Sequence, residues 1–399
     1  MFDVIIVGAG PAGSTAARTL SKSGFNCLLL DKAIFPREKP CGGGITYHAF
    51  KNFPHVRKFL GPPSKGGILY YGNPVIALKD NRDDIVAFYI RRIEFDNSLL
   101  EMARTKGAIV LEGEKVVSID YPSDRVIVHT INGNIYEGKF LIGADGVNSI
   151  VRRTCRLQKY WKKQKEAVVF MNEIEVGENN ILKYFSAKRI THVHLCFGNS
   201  LGYGWVFPKL KHVNIGFGQI IEGTNSRAIL RRYRDFISYC QRVGISPPLP
   251  NPMPHHLTWR VPMGGPMKKY CIGRVLLAGD AAGFVTSLMG EGIPYALWSG
   301  YIAAQIISRV LRKECKISAI CSQYQKSCSK YFARELLIMA KLQEFLRKNL
   351  ITFFKLARFD VRLREIPEDI ILKGNSFFKN LPNLFKIIMI GVLKGNLWK

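Results

Sequence analysis

The sequence has no closely spaced cysteine pairs, no long apolar run and few acidic residues, and each shortage argues against a class of protein. Its nine cysteines are odd in number and include no C-x-x-C pair, so we expect reduced thiols and no structural zinc site. No uncharged apolar run reaches the roughly 18 residues that a membrane-spanning helix needs. Asp3 interrupts the first apolar stretch, so we expect no secretory signal. These features predict a cytoplasmic protein.

Acidic residues are scarce relative to basic ones. The chain carries 30 Asp and Glu against 58 Lys and Arg, which gives a formal net charge of +28 at pH 7. Such a charge attracts anionic partners in general. Because no motif for nucleic-acid recognition is present, we expect no nucleic-acid partner. Phosphorylated ligands and an anionic membrane surface are the partners that the charge still favours.

Motifs for metal binding and nucleophilic catalysis are also missing. The eight histidines have no spacing with acidic residues that is typical of a metal site, so we expect no metal. There is neither a serine nucleophile elbow nor a P-loop. Hydrophobic residues make up 47% of the chain and charged residues 22%, values that are typical of a folded globular protein.

A strand, a glycine-rich turn and a helix open the chain. The run Phe2–Val7 predicts a strand, Ala12–Leu20 a helix and Asn26–Leu30 a second strand. The motif G-A-G-P-A-G at residues 8–13 is a G-x-G-x-x-G, whose glycines allow a tight turn and the close approach of a pyrophosphate. Asp31 follows the second strand and is placed to accept hydrogen bonds from ribose hydroxyls. The pattern indicates dinucleotide binding and leaves FAD and NAD both open.

Two later segments resemble the second and third FAD motifs of the aromatic-hydroxylase-like flavoprotein superfamily. They are G-A-D-G at residues 143–146 and G-D-A-A-G at residues 279–283, each after a predicted strand. Asp280 can accept hydrogen bonds from ribityl hydroxyls. The helix that follows offers backbone N–H groups to the pyrophosphate or to the negative charge on reduced flavin. Arg92 matches the arginine that opens a helix near the cofactor in this superfamily; a solvated surface arginine is the alternative. The resemblance implies FAD.

Three narrower motifs resemble the geranylgeranyl reductase family, which uses reduced FAD to saturate carbon–carbon double bonds in prenyl chains. They are K-P-C-G-G-G at residues 39–44, G-Y-G-W-V-F-P at residues 202–208 and G-E-G-I at residues 290–293. One departure is Ser200, where the family usually has proline. The cofactor-binding residues that the resemblance implies are Gly8, Gly10, Pro11, Ala12, Gly13, Asp31, Lys32, Cys41, Gly42, Gly43, Arg92, Asp145, Gly146, Gly279, Asp280, Gly290, Gly292 and Ile293.

The aromatic motif also has a physical interpretation of its own. In an extended strand, alternation puts Tyr203, Trp205 and Phe207 on one face. Together with Pro208 they would bind substrate as the wall of an apolar slot; ordinary core packing is the alternative. We expect Tyr203, Trp205 and Cys41 to act in catalysis. The Cys41 thiol either tunes the flavin or assists proton delivery, or else it only fills a tight loop.

The predicted fold class is α/β. We expect a Rossmann-like, p-hydroxybenzoate-hydroxylase-like FAD-binding domain, an interposed antiparallel β-rich substrate domain that faces the flavin, and a helical C-terminus. The expected boundaries are residues 1–67, 88–158 and 267–330 for the first, 68–87 and 159–266 for the second, and 331–399 for the third. From Tyr301 onward 19 Lys and Arg stand against 7 Asp and Glu. This basic end either lies on the cytoplasmic face of an anionic membrane or forms a solvated cap.

The favoured function is FAD-dependent reduction of prenyl-chain double bonds on a lipid, a quinone tail or a related isoprenoid. An isolated alkene does not stabilise the charge that hydride addition creates, so we expect a proton to reach the neighbouring carbon. The alternatives are an FAD-dependent monooxygenase of an apolar substrate and a flavoprotein that carries electrons to quinone. With one dinucleotide motif present, the electron donor is either transiently bound NADPH or a ferredoxin-like protein.

Overall fold

The computed structural model describes residues 1–46, 53–71, 76–79, 85–158, 161–162, 165–200 and 202–344. The strands are β1 (Phe2–Val7), β2 (Cys27–Leu30), β3 (Gly44–Thr46), β4 (Pro63–Lys65), β5 (Gly67–Tyr71), β6 (Ile76–Lys79), β7 (Ile85–Tyr89), β8 (Ile109–Leu111), β9 (Val116–Asp120), β10 (Val126–Thr130), β11 (Ile135–Gly143), β12 (Glu166–Glu175), β13 (Thr191–Leu195), β14 (Gly202–Pro208), β15 (His212–Ile220), β16 (Leu257–Pro262), β17 (Cys271–Ile272) and β18 (Val275–Leu277). The α-helices are α1 (Pro11–Lys22), α2 (Arg92–Arg104), α3 (Ile150–Thr154), α4 (Glu178–Phe185), α5 (Ser226–Arg242), α6 (Ile293–Leu311) and α7 (Ile320–Cys328). A π-helical turn at Ser329–Ala333 continues into helical residues 334–344.

Two compact units make up the described chain. The first comprises Met1–Lys39, Arg92–Glu166 and Val261–Ile338, and the second comprises Pro40–Arg91, Ala167–Arg260 and the described residues from 339 onward. We predicted residues 40–67 within the FAD-binding domain, whereas they lie in the second unit. The reason is strand pairing, because β3 and β4 both pair with β7 and β5 pairs with β13.

The first unit is built on a Rossmann-like sheet, as predicted. Its strand order is β17-β18-β11-β1-β2-β8, and β9 and β10 extend from β11 as antiparallel strands. β1 pairs in parallel with β11 on one side and with β2 on the other. The chain therefore winds away from β1 in both directions, and in sheets of this kind ligands bind at the carboxyl ends of the strands where that reversal occurs.

Small residues allow the helices to pack closely in this unit. A Cβ atom at Gly13 in α1 would lie 1.8 Å from the backbone oxygen of Gly8. At Gly300 in α6 it would lie 2.1 Å from the backbone oxygen of Ala12. No side chain fits at either distance, so glycine is required at both positions. α1 and α6 are thereby in backbone contact beside the buried central strands.

The second unit contains a mixed seven-stranded sheet. Its order is β16-β12-β15-β14-β13-β5-β6, and β3, β7 and β4 form a separate sheet. The antiparallel arrangement that we predicted is present from β12 to β13, whereas β13 and β5 run parallel. α5 packs on one face of the sheet, where Phe217, Tyr233 and Phe236 belong to one buried cluster. The other face of β14 and β15 carries the aromatic motif.

Two features differ from the sequence interpretation. α4 forms within residues 159–266, for which a β-rich domain was predicted; it buries Ile181 and Phe185, which are four residues apart on one helix face. The expectation of reduced thiols is wrong for Cys271 and Cys321, which form a disulfide across a sequence separation of 50. No local spacing indicates a pair so far apart.

Two observations concern the chain's relation to membranes. No helix among the described residues is long and apolar enough to cross a membrane. The basic region predicted at 331–399 is helical where it is described, up to residue 344, and its remainder lies outside the described residues.

Candidate functional site

The glycine-rich turn of the first unit connects β1 to α1. Gly8 has a φ of +100°, and its Cβ would lie 2.4 Å from the Ala144 oxygen, so packing alone requires glycine there. Gly10 precedes Pro11 as the N-cap of α1 and is different, because its Cβ would meet only Nη2 of Arg37, at 3.8 Å. Packing does not explain glycine at this position. A ligand that approaches the positive N-terminus of α1 does.

Asp31 holds this turn in place. Its carboxylate oxygens accept hydrogen bonds from the backbone N–H groups of Ala9 (2.7 Å) and Ala33 (2.8 Å). Each oxygen has a second lone pair, which is the acceptor that a ribose hydroxyl needs. The neighbouring Lys32 is exposed, so its side chain does not support the turn.

The G-A-D-G motif lies directly beside the turn. The Ala144 N–H donates to the Val7 oxygen at 2.8 Å, which joins the ends of β11 and β1. Asp145 Oδ2 accepts from the Ile150 N–H at 2.7 Å, whereas its buried Oδ1 has no partner among the described residues. Burial raises the pKa of Asp145. At the next residue, Gly146, no atom other than those of its chain neighbours lies within 4 Å of a Cβ position, so the space beside that glycine is open.

The G-D-A-A-G motif reaches the same turn from β18. Gly279 has a φ of +61°, and its Cβ would lie 3.4 Å from that of Ala12 in α1. A Cβ at Gly292, the N-cap of α6, would lie 3.3 Å from Oδ1 of Asp280. The structure thus brings Asp280 to the N-terminus of α6, as the FAD prediction requires.

The loop before α6 is closed by one threonine. The Thr286 N–H donates to the Glu291 oxygen at 2.9 Å, and the Thr286 hydroxyl accepts from the Glu291 N–H at 3.0 Å. Gly290 allows this closure with a φ of +68°. Ile293, the first residue of α6, is 5% exposed, so it packs inside the protein.

Arg92 shares a buried carboxylate with an arginine that the sequence analysis missed. At the start of α2, Arg92 donates twice to Asp96, at 2.7 Å each, and Arg37 contacts the same carboxylate at 3.0 Å. Two guanidinium groups against one carboxylate leave a net positive charge. Nη1 of Arg37 is buried without a hydrogen-bond partner among the described residues. Arg37 lies in an irregular loop, and only its position beside Gly10 indicates a function.

These features fit FAD. The pyrophosphate of FAD is an anion with several hydrogen-bond acceptors, and both the unpartnered nitrogen of Arg37 and the N-terminus of α1 are matched to it. The hydroxyls of FAD require acceptors, which Asp31, Asp145 and Asp280 supply. The open space at Gly10 is the cradle that a side chain there would fill.

In the second unit, β14 carries an aromatic wall, which we define as Tyr203, Trp205 and Phe207. The ring centroids are 5.4 Å apart for the first pair and 6.0 Å apart for the second. On the opposite face, a Cβ at Gly204 would lie 2.5 Å from the ring of Phe236. The structure therefore places the three rings on one face of β14. Pro208 ends the strand and is buried.

Gly216 of β15 makes room for the wall, and Gly218 on the same face of the strand makes room for Val169. A Cβ at Gly216 would lie 2.1 Å from Cζ2 of Trp205, so the indole lies directly over this residue. At Gly218 a Cβ would lie 2.7 Å from Cγ1 of Val169. The sequence analysis missed both, although glycine at alternate positions of one strand face is the signal that a large neighbouring side chain covers the backbone.

The Cys41 loop, which we define as residues 41–43, packs against the same wall. A Cβ at Gly42 would lie 2.9 Å from the ring of Phe207 and 3.3 Å from Nε1 of Trp205. The Gly43 N–H donates to the sulfur of Cys41 at 3.3 Å. Within the second unit, the structure thus brings the Cys41 loop and the aromatic wall together.

A buried polar network lies behind the wall and was not predicted. Nε1 of Trp205 donates to Oδ1 of Asn214 at 2.8 Å, and Asn214 donates to Glu173 at 3.0 Å. Lys209 and Arg91 form ion pairs with the same Glu173 carboxylate. Burial alone would raise the pKa of Glu173, but the positive charge of Lys209 and its hydrogen bond hold that pKa below its ordinary value.

Comparisons with known proteins agree with the prediction of FAD as cofactor. The model of the FAD binding domain family matches residues 1–336. The chain is 29% identical to the menaquinone reductase of Mycobacterium tuberculosis, over 86% of this chain and 85% of the relative. It is 29% identical to the digeranylgeranylglycerophospholipid reductase of Methanococcus vannielii, over 81% of each. These relatives confirm the resemblance to prenyl reductases.

A solved structure confirms the predicted fold. The geranylgeranyl bacteriochlorophyll reductase-like protein of Thermoplasma acidophilum superposes with a TM-score of 0.77 at 22% identity, covering 96% of this chain and 98% of that one. Similarity at this identity concerns the fold alone. From the match over residues 1–336 and the FAD motifs that the structure brings together, the chain belongs to the FAD binding domain family.

Proposed function

We propose that the protein is an FAD-dependent reductase that saturates carbon–carbon double bonds in prenyl chains. The observation that carries the proposal is the aromatic wall, which packs with the Cys41 loop in a unit separate from the FAD motifs. The relatives named for digeranylgeranylglycerophospholipid and for menaquinone support it, because both compounds carry prenyl chains. The substrate class is therefore a lipid or quinone with such a chain.

The residues of the first unit would hold the cofactor. Arg37, Gly10 and the N-terminus of α1 would bind its pyrophosphate, and Asp31 and Asp280 would accept from its hydroxyls. When bound and reduced, FAD supplies a hydride for addition to a double bond. The remaining steps belong to side chains of the second unit.

Tyr203, Trp205 and Phe207 would bind the prenyl chain along their ring faces. Covering apolar surface contributes roughly 25 cal/mol per Å², so chain length sets much of the affinity. Aromatic faces also stabilise the positive charge that develops when a proton is added to an alkene carbon. The proton would come from Cys41, because burial raises the pKa of the Tyr203 hydroxyl and makes it a weaker acid.

Anaerobic turnover followed by mass spectrometry tests the proposal. The purified protein is reduced with dithionite, mixed with a geranylgeranyl lipid, and the lipid is analysed. We expect each reduced bond to add two hydrogen atoms without oxygen. A product that forms only in air and contains an added oxygen atom would identify a monooxygenase. Reoxidation of the protein by quinone with an unchanged prenyl chain would identify an electron carrier.

The electron donor and the membrane are further parts of the proposal. NADPH or a ferredoxin-like protein would reduce the cofactor, and stopped-flow bleaching of the flavin absorbance by each donor distinguishes them.

Peripheral binding to an anionic membrane would bring the enzyme to its lipid substrate. Co-sedimentation with anionic vesicles should then fall with added salt and with deletion of residues 345–399. Co-sedimentation that stays the same after both changes would contradict membrane binding through this region.

A further inference from the structure

Asn214 is buried between the aromatic wall and the Cys41 loop. It lies in β15, is 0% exposed, and uses its whole amide group. Oδ1 accepts from the indole N–H of Trp205, and Nδ2 donates to the backbone oxygen of Cys41 at 3.2 Å and to Glu173 at 3.0 Å. One side chain thus connects the indole to the backbone of the loop.

Glu173 determines which way the amide of Asn214 points. A carboxylate only accepts hydrogen bonds and an indole N–H only donates, so the amide nitrogen must face Glu173 and the amide oxygen must face Trp205. The ion pairs with Lys209 and Arg91 keep Glu173 charged and in position. Lys209 is itself 2% exposed, which makes the arrangement costly to rearrange.

We propose that Asn214 is a positioning residue that holds Trp205 and the Cys41 loop in one fixed relation, with Glu173 orienting its amide. The consequence for activity rests on the proposed function, in which Trp205 contacts the prenyl chain and Cys41 supplies the proton. A fixed relation between the ring and the thiol selects which alkene carbon receives the proton. In enzymes generally, displacement of a reacting group by about 1 Å can reduce the rate by about 10²-fold.

The variant Asn214→Asp tests the connection with almost no change in size. The carboxylate still accepts from Trp205, but it cannot donate to the Cys41 oxygen and it faces the negative charge of Glu173. We expect alkylation of the Cys41 thiol by N-ethylmaleimide, followed by peptide mass spectrometry, to become about tenfold faster in the full-length protein. We expect kcat for prenyl reduction to fall by about 10²-fold with KM little changed.

Cys196 is the internal control, because it is a free, partly exposed thiol in the same unit. A selective increase at Cys41 supports the positioning role. An equal increase at Cys196, or no increase at Cys41, overturns it. A selective increase in a protein that reduces no prenyl chain overturns the proposed function and leaves the positioning role standing.

Discussion

One methyl group at Gly216 tests the aromatic wall. In Gly216→Ala the new Cβ would lie 2.1 Å from Cζ2 of Trp205, whereas carbon atoms in contact stay about 3.6 Å apart. The indole must therefore move by roughly 1.5 Å. It then loses the 2.8 Å hydrogen bond that it donates to Asn214.

The energetic cost follows from these two changes. Overpacking of this kind costs about 1–3 kcal/mol, and a lost hydrogen bond about 1 kcal/mol more. We expect the free energy of unfolding to fall by about 2–4 kcal/mol, measured by urea unfolding with circular dichroism. Prenyl reduction should fall at least tenfold. FAD content, measured by absorbance, should stay the same, because the FAD motifs belong to the first unit.

Gly218→Ala is the matched control on the same strand. Its Cβ would lie 2.7 Å from Cγ1 of Val169 but 3.8 Å from the indole, so Trp205 need not move. Adding Trp205→Phe to Gly216→Ala should recover part of the lost stability, because the smaller ring vacates the space. If Gly216→Ala has the stability and the kinetics of the parent protein, the indole of Trp205 does not lie against Gly216 as described.

Three further predictions concern separate parts of the molecule. Gly10→Val should abolish FAD binding and leave the melting temperature of the FAD-free protein unchanged, because a Cβ there meets only Arg37, at 3.8 Å; retained flavin absorbance would contradict the placement of the pyrophosphate. Cys41→Ser should slow prenyl reduction by about 10²-fold at unchanged FAD content, and unchanged turnover would leave Cys41 only a packing role. Burial lowers the pKa of His192 from 6.5 to about 4, so between these values the unfolded chain binds a proton that the folded chain does not, and stability should fall as pH falls through this range. In His192→Gln this decline in the free energy of unfolding should be smaller by up to about 3 kcal/mol. If the free energy of unfolding, measured with urea, depends on pH equally in both proteins, the prediction is wrong.

Local patterns predicted the first unit well. The strand Phe2–Val7 matches the structure, and the helix after the glycine-rich turn begins at Pro11, one residue before the prediction. Alternation in β14 predicted that Tyr203, Trp205 and Phe207 share a face. These features depend on residues close together in the sequence, where periodicity and turn chemistry determine the backbone.

Contacts between distant segments were not predictable in the same way. The network behind the wall joins Cys41, Glu173 and Asn214, and no short motif contains them. Arg37 lies in a loop and pairs with Asp96 of α2, which is 59 residues away in the sequence. The disulfide between Cys271 and Cys321 spans 50 residues. In each case the tertiary fold, not local preference, selects the partner.

Isotope labelling of the product tests prenyl reduction by this protein most directly. The reduced protein is incubated anaerobically in deuterated water with a geranylgeranyl lipid, and the recovered chains are analysed by mass spectrometry and NMR. We expect one pair of deuterium atoms on adjacent carbons for every bond saturated, because the hydrogen that reduced FAD transfers as hydride is bound to nitrogen and, like the thiol proton of Cys41, exchanges with solvent before transfer. Chains recovered without deuterium, from protein shown to hold FAD, would contradict it.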